Sequence, residues 1–224
     1  MNHELTTLRV LQLASPALPI GAYNFSQGLE QAAEQGWVHD EQSLEAWIRG
    51  LSHGAMRRLD LPVLQRLHSA WRGQESAAVA HWDRLLVASR ESSQLRAEER
   101  HLGRALAKVL VELEIPAAAA FLTGRGGSYA TLFALACVSG GIGVQQACQA
   151  YLWAWSENQV MAALKLLPIG QSSGQRVLNR VLRQIPALCE EAALIEDDDI
   201  GVSTPLHAMA CAWHETQYSR LFRS

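Results

Sequence analysis

Apolar residues recur three and four positions apart along almost the whole chain, which is the period of an α-helix. Leu44, Trp47, Ile48 and Leu51 keep that spacing behind Asp40, a side chain suited to cap a helix start. Leu61, Leu64, Leu67, His68 and Trp71 repeat it, as do Val79, Trp82, Leu85 and Leu86. A longer helix is expected through Leu95, Leu102, Leu106, Val109, Leu110 and Leu113, ending before Pro116. The chain carries 33 Ala and 32 Leu against 13 Val and 8 Ile, so helix formers outweigh strand formers. An all-α fold is the expectation: a single helical domain of roughly eight to ten helices.

Proline and glycine punctuate the pattern. Leu5, Leu8, Leu11 and Gln12 predict a short first helix, ended by Ser15-Pro16. Ser26 is expected to cap a helix carrying Leu29, Ala32 and Ala33. Gly124-Arg125-Gly126-Gly127 reads as a flexible internal joint. Tyr129 to Ala136 and Val144 to Leu164 are apolar stripes on either side of Gly140-Gly141. Pro168-Ile169-Gly170 breaks the second, and Ser172 or Ser173 is suited to cap the helix of Val177, Leu178, Val181 and Leu182. Pro186 should kink or split that helix. Thr204-Pro205 is a start signal for the helix of Leu206, Met209, Ala210 and Trp213. The helical domain is expected over 1–213, with a separate tail over 214–224.

Charged residues make up 18% of the chain and the net charge is −3. Hydrophobic residues make up 49%, which argues against disorder. No basic surface is available to neutralise phosphates, so nucleic acid is not an expected partner. No run of about 18 apolar residues exists, so no membrane span is expected, and a cytoplasmic location is the reading. Cys137, Cys148, Cys189 and Cys211 lack C-x-x-C spacing and read as small buried hydrophobes. Few charges remain to solvate a surface, so exposed apolar area should mark partners, and the chain alone should be poorly soluble.

Catalytic patterns are weak. Asn24-Phe25-Ser26-Gln27-Gly28 approaches the nucleophile elbow G-x-S-x-G, but no strand precedes it. An α-helical serine hydrolase using Ser26 is the alternative function. Gly140-Gly141-Ile142-Gly143 lacks the Lys and hydroxyl of a phosphate-binding loop. His207 and His214, seven apart, are two ligands where zinc needs three or four. Glu196-Asp197-Asp198-Asp199 lacks calcium-loop spacing and reads as a solvated loop. No cofactor or metal site is expected. The tail from His214 mixes Tyr, Phe, Leu and Arg, the types that anchor interfaces, and is expected to be loose until a partner orders it.

Three stretches carry a resemblance. They are Leu13 to Glu30 (LASPALPIGAYNFSQGLE), Leu164 to Gln175 (LKLLPIGQSSGQ), and His214-Glu215-Thr216-Gln217 with Arg220-Leu221-Phe222-Arg223-Ser224. Together, in this order, they resemble the UreF family of urease accessory proteins. The resemblance implies an all-α fold that forms a homodimer within a larger complex. It implies a non-enzymatic chaperone or adaptor in nickel insertion. Such a protein bridges UreD (also called UreH) and the GTPase UreG on the urease apoprotein, and regulates the GTPase without hydrolysing GTP. Carried onto this sequence, Glu30 and Lys165 are the expected GTPase-facing residues, with Gln27, Ser173 and Gln175 beside them. Tyr218, Arg220, Leu221, Phe222, Arg223 and Ser224 are the expected UreD-binding tail.

Overall fold

A computed structural model describes residues 3–224. The fold is 73% helical, without strands among the described residues. The α-helices are α1 His3–Ala14, α2 Leu29–Glu34, α3 Glu41–Leu51, α4 Leu61–Arg72, α5 Ser76–Ala88 and α6 Ser93–Glu112. They continue with α7 Tyr129–Ser139, α8 Val144–Leu166, α9 Gln171–Leu182, α10 Ile185–Ala193 and α11 Pro205–Thr216. A π-helical segment, Ser52–Asp60, joins α3 to α4 without a break. Counting that rod as one gives 10 helices among the described residues, within the expected range.

Two apolar cores share the molecule. The larger holds Leu61, Leu64, Leu67, Leu106, Leu132, Phe133 and Leu152, from α4, α6, α7 and the first half of α8. The smaller holds Leu29, Leu44, Ile48, Val160, Ala163, Val177 and Leu178, from α2, α3, the second half of α8, and α9. The 23 residues of α8 span about 35 Å and serve both. The rod of α3 and α4 also serves both, changing core across its π-helical segment.

Most helix boundaries agree with the sequence pattern, and their caps explain why. Asp40 accepts from the Ser43 amide while Ser43 Oγ accepts from the Asp40 amide, a reciprocal cap on α3. Pro186 splits α9 from α10 by taking a first-turn position, where a missing N–H costs nothing. One apolar stripe faces solvent, and three expectations need correction. In α1, Leu5, Leu8 and Leu11 point outward, at 45%, 62% and 62% exposure. A second set, Thr6, Val10, Leu13 and Ala14, faces inward instead, and its four-, three- and one-residue steps fit the helical period better. Ser172 and Ser173 do not cap α9, which starts one residue earlier behind Gly170. Thr204 precedes α11 as expected, but its side chain makes no capping bond. The glycine stretch is no loose joint: a Cβ at Gly103 would stand 2.0 Å from the Gly127 carbonyl oxygen. α6 and the turn before α7 therefore touch backbone to backbone, and the larger core runs across both.

Candidate functional site

The three motif stretches meet in space, around the loop Gly21–Gly28. Gly28 sits in the left-handed region at φ 79°, ahead of α2. A Cβ there would also lie 3.0 Å from Cys211 Sγ, so α11 passes directly against the loop. Gln27 adopts φ 53° without being glycine, a conformation costing on the order of 1–3 kcal/mol. Its side chain is pinned on both ends. Gln27 Nε2 donates to Glu98 Oε1 at 2.6 Å, and its Oε1 accepts from Trp155 Nε1 at 2.6 Å. From α8, Asn158 Nδ2 donates to the Phe25 carbonyl and Gln159 Nε2 to the Ser26 carbonyl.

The tail is strapped onto this frame. Glu30, in the first turn of α2, is 7% exposed. Its carboxylate accepts from the Leu221 amide at 2.7 Å and the Phe222 amide at 2.9 Å. Arg223 N donates to the Asn24 carbonyl, and Ser26 N donates to the Ser224 main-chain oxygen. Side chains then alternate: Phe222 and Ser224 turn inward, Leu221 and Arg223 outward. Phe222 enters the smaller core at 5% exposure. Lys165 Nζ stands 5.4 Å from the Phe222 ring centroid and 5.7 Å from that of Tyr23, in cation–π contact with both.

His214 completes the frame. It is fully buried; Nε2 lies 3.1 Å from Glu30 Oε2 and Nδ1 lies 2.7 Å from Gln94 Oε1. Next along α11, Glu215 Oε1 accepts from the Ser93 amide, the Ser93 hydroxyl and the Gln94 amide. These bonds fix the end of α11 to the start of α6 and hold the Glu215 carboxyl below its usual range.

Sequence pattern and geometry diverge here. Glu30 and Gln27 were expected to face a partner; Glu30 turns inward and holds the tail, while Gln27 bonds Glu98 and Trp155. Lys165 and Gln175 do lie on the surface. Ser173 is half-buried, its hydroxyl accepting from Arg176, in an exposed network of Arg176 and Arg180 with Glu41 and Glu45. The tail is already ordered on its own chain, and α11 runs on to Thr216, past the expected boundary at 213. Tyr218 and Leu221 remain outward, at 105% and 63% exposure, and Arg220 is exposed beside them. His214, Gln94 and Glu98 were missed as anchors. The one legible hint was the consecutive pair Glu98-Glu99, an acidic doublet in which both positions fall on the buried side of α6.

Ser26 is not placed as a nucleophile. It is 0% exposed, and its hydroxyl donates to the Ser224 main-chain oxygen while accepting from the Glu30 amide. Neither neighbour is a general base. His207 Nε2 sits 3.0 Å from the Gln27 carbonyl, so that nitrogen carries its proton and is no base toward Cys211, 3.4 Å away. Among the described residues, no three His, Cys, Asp or Glu side chains converge as a metal ligand set. All four cysteines are free and buried. No described helix is long and apolar enough to cross a membrane.

Beside the strap, a cavity of about 270 Å³ opens between α1, α6 and α8. Its wall is mostly apolar, through Leu13, Ile20, Leu102 and Ala162, with Arg90, Glu98, Glu157 and Lys165 among its charged groups.

Comparison with known proteins fits this arrangement. The UreF family model matches residues 38–182. The urease accessory protein UreF of Alkalilimnicola ehrlichii is 44% identical, covering 100% of this chain and 98% of its own length. That of Chromohalobacter salexigens is 46% identical over 100% of this chain and 96% of its own length. That of Teredinibacter turnerae is 42% identical, with 100% of both chains covered. The family model stops short of the opening loop and the tail, yet the full-length relatives span both. On this likeness, covering core and strap alike, the chain belongs to the UreF family of urease accessory proteins.

Proposed function

We propose that this chain is the adaptor of urease maturation that bridges UreD (UreH) and the GTPase UreG on the urease apoprotein. Family membership supports the maturation role. The observation that carries the finer reading is the strap: the opening loop, the Lys165 region of α8 and the tail form one bonded unit. A protein that couples two partners needs their contact surfaces to share structure, and this unit supplies the sharing.

The UreD surface in this reading is the outer side of the tail with the outer face of α11. Tyr218, Arg220, Leu221 and Arg223 point outward there, beside exposed Leu206, Met209 and Trp213. Exposed aromatic and aliphatic groups beside arginines suit an interface anchor. Phe222 and Ser224 hold that surface from beneath. The GTPase surface centres on Lys165, with Gln175 and Ser173 on α9. Glu30 serves it from inside by fixing the tail against which Lys165 rests, and Gln27 by holding Glu98, which bonds Ser224. Binding here regulates when the GTPase acts and when nickel, the cargo, is released. The chain works as a homodimer within the assembly, and the exposed leucines of α1 supply unpartnered apolar surface suited to association.

Co-expression with UreD and UreG, followed by sizing, tests the reading. A complex containing all three supports it. A chain that binds neither partner, or binds each only in the absence of the other, sinks the bridging role.

A further inference from the structure

Under the strap lies an acidic cluster that no partner assignment uses. Asp60, Glu98 and Glu99 are 2%, 4% and 6% exposed. Arg90 stands among them, bonding both oxygens of Asp60 and Oε1 of Glu99. Glu98 takes its hydrogen bonds from neutral groups instead: Gln27 Nε2 at 2.6 Å and Ser224 Oγ at 2.7 Å. Three carboxylates therefore face one guanidinium, and the tail closes over the carboxylate that Arg90 leaves aside.

The other titratable groups nearby do not correct this imbalance. On α8, Lys165 and Glu157 line the same cavity and offset each other in formal charge. On α11, burial drives His207 toward its neutral form and keeps the Cys211 thiol protonated. Burial likewise keeps Tyr129 and Tyr151 neutral. Glu91 is exposed and bonded to Ser203.

We propose that closing the tail over Glu98 takes up one proton, so that the strap is favoured as pH falls through neutrality and loosens as pH rises. A neutral Glu98 keeps both contacts: Oε1 still accepts from Gln27, while Oε2–H donates to Ser224 Oγ. Burial pushes the Glu98 carboxyl up to about 7, although the bonds from Ser224 and Gln27 pull it down. Lifting the tail readmits water and returns Glu98 toward the ordinary carboxylate range. The docked state then binds more protons than the open one, so docking strengthens below about pH 7 and weakens above the ordinary range. This is a property of the chain alone and needs no partner.

Hydrogen exchange of the Leu221 and Phe222 amides reads the docking constant, once corrected for the intrinsic rate. In the full chain, their protection is expected to fall about tenfold between pH 6 and pH 8. A carbon-13 titration should place Glu98 near 7. Glu98→Gln keeps an acceptor and removes the proton, so its corrected protection should not change with pH. Phe222→Ala releases the apolar anchor without touching Glu98, and the Glu98 titration should move down with it. Protection independent of pH in the unaltered chain, or equally pH-dependent in Glu98→Gln, overturns the proposal. So does a Glu98 that titrates at the ordinary carboxylate value while the tail is docked.

Discussion

The first helix and the tail invert each other. α1 has three leucines at regular spacing and turns them to solvent. The tail has polar and charged residues in nearly every position, yet buries Phe222 and Ser224 to 5% and 2% exposure. An apolar stripe is indifferent to which neighbour it meets, so a better-fitting stripe on the same helix displaced it. The tail is held by receptors of matched chemistry: two amides on one carboxylate, one amide on a carbonyl, one ring in a core. Directional groups settle a position that hydrophobicity alone leaves open.

The contrast breaks most sharply at Phe222. Phe222→Ala removes the tail's only ring in the smaller core and should weaken tail docking by about 3 kcal/mol. Exchange protection at Leu221 should collapse and co-purification with UreD should drop; a tail that stays protected refutes the anchor. Glu30→Gln comes next. It leaves two amides and His214 with a weaker, uncharged partner, at a cost of about 2 kcal/mol in thermal or denaturant unfolding. A loss below about 0.5 kcal/mol, the order of surface effects, counts against Glu30 as the buckle. Lys165→Ala should cost at most about 1 kcal/mol, from lost cation–π contact, while reducing retention of the GTPase and sparing UreD. Unchanged GTPase retention in a pull-down removes Lys165 from that surface. Smallest is Leu8→Ser on α1, with stability expected within about 0.5 kcal/mol but less self-association on sizing. A loss above about 2 kcal/mol would mean that the leucine stripe is packed after all.

Much of the fold was legible because helices announce themselves locally. Asp40 with Ser43, Pro186, and the apolar period of α6 each fix a boundary using residues within a few positions. The face of α1 was not legible, since two stripes compete and packing on α7 and α8 decides between them. The site was half legible. Its motifs stood out, but Glu30 was read as a surface carboxylate. Its partners, Leu221, Phe222 and His214, lie more than 180 positions away, and no local pattern reports a bond of that span. The π-helical segment left no trace either, because its residues differ in no obvious way from those of an α-helix.

That segment has a consequence for how this chain tolerates change in length. A π-helix turns less per residue than an α-helix. Across Ser52–Asp60 the rod therefore swings its inward side from the core of Leu44 and Ile48 to that of Leu61 and Leu64. Removing one residue there would not shorten a loop; it would rotate half of the rod against the other half. Asp60 would swing away from Arg90, and two cores would lose their register together. The turn at Gly73-Gln74-Glu75, between α4 and α5, has no such duty. Insertions and deletions should therefore accumulate at that turn and be purged from the rod.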